Sequence, residues 1–226
     1  AVVGPNGAGK TTLFRLLAGE LTPCTGDIQF NGRDMPRWPL TQLARMRAVL
    51  PQSSTLQFAF TVQEVVAMGR MPHATGQRID ADIVQEVMQV CDVHRLATRP
   101  YPALSGGERQ RVQLARVLAQ VWQPVADGER LLLLDEPTSA LDIAHQIELM
   151  QVVRRVCAAD IAVLVILHDL NLAARFAHRI LMLHDGRLVA QGTPDEVLQP
   201  DLIECVFSVK TQIIKHPIYG CPLVVS

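Results

Sequence analysis

Residues Gly4-Pro5-Asn6-Gly7-Ala8-Gly9-Lys10-Thr11 fit Gly-x-x-x-x-Gly-Lys-[Ser/Thr], and no other stretch restricts the fold as tightly. Glycines at 4, 7 and 9 permit backbone dihedrals that a Cβ forbids, so successive N–H groups can turn inward around phosphate oxygens. Lys10 adds a point charge, and the Thr11 hydroxyl can ligate Mg²⁺. A helix expected over residues 10–18 aims its positive end at the same anion and carries Thr12 in its first turn. A glycine-rich turn before a helix can also be only a turn, so the rest of the chain must supply the context. Such a loop needs a buried strand leading into it. Only Ala1-Val2-Val3 stands before it, without an initiator Met, so the expectation is a chain whose N-terminal portion is missing.

The 226-residue sequence has the means to build a core. Hydrophobic residues make up 49% and charged residues 19%, which argues against disorder. The formal net charge of −1 supplies no field toward nucleic acid, and no nucleic-acid partner is expected. Five scattered cysteines form no Cys-x-x-Cys and read as small buried apolar residues. No segment reaches the ~18 apolar residues of a membrane span.

Apolar patterning organises the chain. Residues 27–30 read as a short strand into an Asn31-Gly32 turn, and 48–50 as a strand ending at Pro51-Gln52. From about 61 to 120 the pattern is helical: Asp80 is an N-cap candidate, followed by an apolar stripe of Ile83, Val84, Val87, Met88 and Cys91. Strands at 131–134 and 161–167 then alternate with helices at 143–157 and 170–177, and a hairpin follows over 179–191. Continuous apolar strands separated by helices imply a mostly parallel sheet covered on both faces, an α/β class, with the helical stretch inserted into it.

Two further devices carry chemistry. The run Leu131-Leu132-Leu133-Leu134 ends in Asp135-Glu136, which puts two acids at the carboxyl edge of a buried parallel strand. Asp135 is placed to hold Mg²⁺, and Glu136 to polarise the water that attacks a γ-phosphate. Ser105-Gly106-Gly107 opens a helix and forms a second anion cradle. One nucleotide hardly needs two cradles on one chain, so the second is expected to serve a nucleotide held by a partner subunit.

At this point the chain resembles the ATP-binding cassette (ABC) ATPases along nearly its whole length. Leu104 to Gln110 is similar to the ABC signature. The resemblance implies a P-loop NTPase core over residues 1–54 and 116–226, with an all-helical ABC subdomain over 55–115. It implies nucleotide binding by Gly4, Pro5, Asn6, Gly7, Ala8, Gly9, Lys10, Thr11 and Thr12, and contact in trans by Ser105, Gly106, Gly107 and Asp142. Catalysis would fall to Glu136, His168 and Gln52, with Mg²⁺ on Thr11, Gln52 and Asp135. The family usually stacks adenine on an aromatic residue upstream of the loop, and nothing stands upstream here. The implied cofactors are ATP and Mg. The implied assembly is an ATPase homodimer with two integral-membrane permease subunits and a periplasmic substrate-binding protein, peripheral on the cytoplasmic face of a bacterial inner membrane. Residues 58–73, 168–173 and 216–224 resemble importers of iron-siderophore, hemin and vitamin B12. The tail and residues 135–146 are most similar to hemin import ATPases, while siderophore or B12 import, export, and soluble ABC functions remain alternatives. Phe58, Phe60 and Val62 could line a groove for a permease helix or belong to the local core.

Overall fold

The computed structural model describes residues 1–52, 59–126, 128–139 and 141–226; Phe58, named above, lies outside them. In chain order the elements are β1 (Val2–Val3), α1 (Lys10–Leu17), β2 (Gln29–Phe30), β3 (Arg33–Asp34), α2 (Leu40–Met46), β4 (Arg47–Leu50), α3 (Val62–Ala67), α4 (Gln77–Val90), α5 (Gly106–Val121), β5 (Arg130–Asp135), α6 (Ile143–Cys157), β6 (Ile161–Ile166), α7 (Leu170–Phe176), β7 (Ile180–His184), β8 (Arg187–Gly192), α8 (Pro194–Val197), α9 (Pro200–Phe207), β9 (Gln212–Lys215) and β10 (Pro222–Val225).

The main sheet has the order β4-β5-β6-β1-β7-β8, with every neighbouring pair parallel except the β7–β8 hairpin. The leucine run of β5 shows why these strands lack alternation. Leu132 and Leu134 belong to the cluster that includes α5 and α6 residues, whereas Leu133 belongs to the cluster around Phe14 and Ala18 beside α1. Both faces are dry, so each side chain buries in turn, at about 2 kcal/mol per fully buried leucine. Register brings Leu50, Leu134, Val165 and, through Ile166, Val2 to one level. The loops after β4, β5, β6 and β1 therefore leave the sheet along the same carboxyl edge.

Helices α3, α4 and α5 pack on one another, and α5 also lies against β4. The Ile83–Cys91 stripe is buried as expected. The N-cap of α4 differs from the expectation: it is Gly76 at φ 92°, and Asp80 sits inside the first turn. Its carboxylate instead accepts from Arg70 Nε (2.8 Å) and the Thr75 hydroxyl (2.7 Å). A buried guanidinium is a stronger claimant than a backbone N–H. Gly69 lets the preceding turn press on α5, since a Cβ there would lie 2.0 Å from Arg116 O. Val62 is fully buried, and Phe60, partly buried, packs against the same core. The last strands, β9 and β10, form an antiparallel hairpin of their own. Among the described residues, no helix is long and apolar enough to cross a membrane.

Candidate nucleotide site

The loop between β1 and α1 is shaped by its glycines. Gly4, Gly7 and Gly9 have φ of 154°, 82° and 95°, a backbone region that L side chains rarely enter. Gly4 is also crowded, because a Cβ would sit 2.3 Å from Leu183 O of β7. The β7–β8 turn closes over the loop from that side, with Gly186 N donating to Ala8 O at 3.1 Å. Lys10 is buried, and its ammonium donates to Gly4 O (2.8 Å) and Pro5 O (2.9 Å). Thr11 and Thr12 are exposed on the first turn of α1.

Three residues far apart in sequence meet above this loop. Glu136 follows β5 with φ 47°, a left-handed conformation that costs a non-glycine residue roughly 1–2 kcal/mol. Its carbonyl is held by Ser139 through both the amide (3.2 Å) and the hydroxyl (3.1 Å). Its carboxylate is held at both oxygens: Gln52 Nε2 donates to Oε2 (2.8 Å), and His168 Nε2 lies 2.5 Å from Oε1. A carboxylate only accepts, so the His168 proton sits on Nε2. Strain at the backbone and a clamped side chain together fix one orientation of this acid.

Charge in the site is governed by lost water. Burial pushes the Asp135 carboxyl above its ordinary range, with the neighbouring Glu136 adding to the shift and Lys10 opposing it. Burial likewise pulls the Lys10 ammonium below its ordinary value, against Glu136 and Asp135. Acid and base are near enough to attract, yet both shift toward neutrality, so desolvation outweighs their pairing. Thr11, Gln52 and Asp135 offer only oxygen donors toward a hard cation, a set that suits Mg²⁺.

The second cradle is a built helix start. Ser105 caps α5, and its amide donates to Glu108 Oε2 (2.8 Å) while its hydroxyl accepts from Glu108 N (3.3 Å). Asp142 caps α6 in the same way, accepting from His145 N (2.9 Å) and lying 2.7 Å from His145 Nδ1. These bonds hold the Asp142 carboxyl below its usual range. Among the described residues, no hydrogen bond or ion pair connects 105–107 with 4–11. The fold therefore brings the loop, Asp135, Glu136, Gln52 and His168 together, and leaves Ser105, Gly106, Gly107 and Asp142 as a separate group.

Residues 1–139 match the family model described as ABC transporter. The chain belongs to the ABC transporter family. It is 52% identical over its whole length to the hemin import ATP-binding protein HmuV of Gloeobacter violaceus, covering 82% of that protein. To the HmuV of Pseudomonas aeruginosa it is also 52% identical, covering 88%. Among solved structures it superposes on a metal-chelate type ABC transporter in an inward-facing conformation, with TM-score 0.81 and 26% identity over 99% of this chain and 86% of that one. As a member of this family the chain is an ATP-binding ATPase subunit of the α/β class. Three contributors to the site had no signal in the ABC motifs themselves. They are the β7–β8 turn seated on Ala8, the His145 ring against Gly107 (2.9 Å from a Cβ built there), and the side chain of Asn171, which bonds the tail. The turn was legible as Asp185-Gly186, but its place over the phosphate loop was not.

Proposed function

We propose that this chain energises hemin import, binding ATP between the 4–12 loop of one subunit and Ser105–Gly107 and Asp142 of a second copy. The observation that carries the hydrolytic part is the convergence of Gln52 and His168 on Glu136 above the Lys10 loop. The nucleotide-binding residues are Gly4 to Thr12, whose amides, with the Lys10 ammonium and the start of α1, oppose the phosphate charge. Glu136 takes the proton of the attacking water as its oxygen bonds to the γ-phosphorus and the β–γ bridging bond breaks. Gln52 and His168 keep that carboxylate aimed, each through a bond to one of its two oxygens. Mg²⁺ would be held by Thr11, Gln52 and Asp135, and would supply charge compensation for the phosphates. The burial that shifts Lys10 and Asp135 toward neutrality favours an incoming group that carries compensating charges of its own.

Loss of the γ-phosphate removes the bridge between two cradles, so the copies part, and hydrolysis is coupled to a change of shape. The subdomain read over residues 55–115 faces the permease, and Gln52 links it to the reaction. The chain works as a homodimer with two permease subunits and a periplasmic binding protein, peripheral on the cytoplasmic face of the inner membrane. The relatives named for hemin import, at 52% identity across the full chain, support the cargo. Glu136→Gln tests the whole reading. It is expected to keep ATP binding, cut turnover by at least about a hundredfold, migrate as a dimer with ATP in gel filtration, and stop hemin uptake into proteoliposomes carrying the permease. A variant that stays monomeric with ATP, or still turns over, contradicts it.

A further inference from the structure

The C-terminal hairpin β9–β10 bonds to the helix that follows His168. Asn171 makes a two-point contact with it: its side-chain amide donates to Val224 O (3.1 Å), and its carbonyl accepts from Val224 N (2.7 Å). One turn later the Arg175 guanidinium lies 3.7 Å from the centre of the Tyr219 ring. Tyr219 is in turn seated by His216, whose Nδ1 accepts from the amides of Ile218 (3.1 Å) and Tyr219 (3.3 Å) and whose ring lies tilted by 46° at 4.6 Å.

The place of this contact gives it meaning. Leu167 N donates to Val2 O at 3.1 Å, which ties the chain to the sheet just before His168. Asp169, just after it, caps α7 by accepting from Asn171 N (2.7 Å) and Leu172 N (3.0 Å). His168 is thus the single residue between a fixed strand end and the first cap of a helix. That helix is seven residues long, too short to persist without tertiary contacts. Leu172, Ala173 and Ala174 bury one side in the core, and the hairpin holds Asn171 and Arg175. The position of α7 therefore sets where the imidazole points.

We propose that the hairpin is a clamp for the hydrolytic apparatus, in which Asn171 and Arg175 are positioning residues that hold His168 against Glu136. The inference rests on the role given to His168 above. Ile218 of the hairpin is largely exposed and Ile214 and Tyr219 are about half exposed, so the contact with α7 can be weakened from its outer side.

A double-mutant cycle in the full-length protein tests it. Asn171→Ala and Tyr219→Ala are each expected to lower kcat for ATP by about tenfold with KM held within about twofold, and to cause no further loss in a His168→Ala background. A contact that merely stabilises the fold would reduce activity by the same factor in both backgrounds. Equal losses, or no loss while His168→Ala is impaired, overturn the clamp and leave the His168 reading standing. Full activity of His168→Ala overturns that reading, and the clamp with it. Should Asn171→Ala fail to fold, Tyr219→Ala decides, because its ring is half exposed and its loss leaves the α7 backbone bonds intact.

Discussion

Arg70 shows how far one side chain can organise its surroundings. Its guanidinium is buried and donates to Asp80 Oδ1 (2.8 Å), Ala119 O (2.7 Å), Thr75 Oγ1 (3.1 Å) and Gln123 Oε1 (2.7 Å). Five N–H donors in a rigid fork suit such a hub, and lysine has neither the count nor the plane. The hydrogen bonds from Thr75, then Arg70, hold the Asp80 carboxyl below its ordinary range. Arg70→Ala leaves buried acceptors without donors and is expected to destabilise the protein by roughly 3 kcal/mol, read as a shifted urea midpoint at constant m-value. In the sequence Arg70 is one of many charged residues in a helical stretch. Only the burial of the space around it, assembled from α4 and α5, turns it into a hub. The same holds for Asp80, whose spacing announced an N-cap but whose stronger partner lay ten residues upstream.

At the scale of elements, α5 does two tasks. Its first residue follows Ser105, and its far end gathers α2, the start of β4 and the turn at His73. Gln120 Nε2 donates to Ala44 O (2.7 Å) and Arg47 O (3.1 Å), while Gln120 O meets His73 Nε2 at 2.7 Å. A carbonyl only accepts, so His73 carries a proton on Nε2. Burial pulls the His73 pKa below 6.5, with the Gln120 bond opposing the shift and Arg70 and Arg45 adding to it. In the window between the lowered native value and 6.5 the unfolded chain binds more protons than the native one. Stability is therefore complete above that window and falls as pH drops through it. Melting temperature is expected to decline as pH falls below about 6.5, and His73→Gln is expected to flatten that part of the profile. The helical character of this region was readable from its apolar stripe. The junction was not, because polar side chains on backbone carbonyls have no period.

For the whole molecule, the separation of 105–107 from the 4–11 loop is the decisive feature. Gly106 has no atom within 4 Å of a Cβ built on it, so Gly106→Val should be tolerated by the fold. If the cradle closes on a nucleotide held by another copy, the same variant is expected to keep its melting temperature and lose ATPase activity by at least about a hundredfold, scored in a coupled assay. Unchanged hydrolysis would mean that each chain acts alone. The phosphate loop, the Asp135-Glu136 pair and the two-sided strands were all legible in the sequence, because each is a local pattern whose chemistry depends on neighbours in the chain. Backbone freedom at Gly7, unbroken hydrophobicity over 131–134 and the helix start at 105–107 fall in that class. The clamping of Glu136 from 84 and 32 residues away, the seat of the 186 turn on Ala8 and the docking of the tail on α7 do not. Those contacts exist because parallel strands end at one level and bring distant loops to one edge. Sequence alone marked which groups are candidates to bind phosphate and cut it; tertiary structure decided which of them meet, since proximity between distant segments is a property of the assembled sheet and leaves no trace in local spacing.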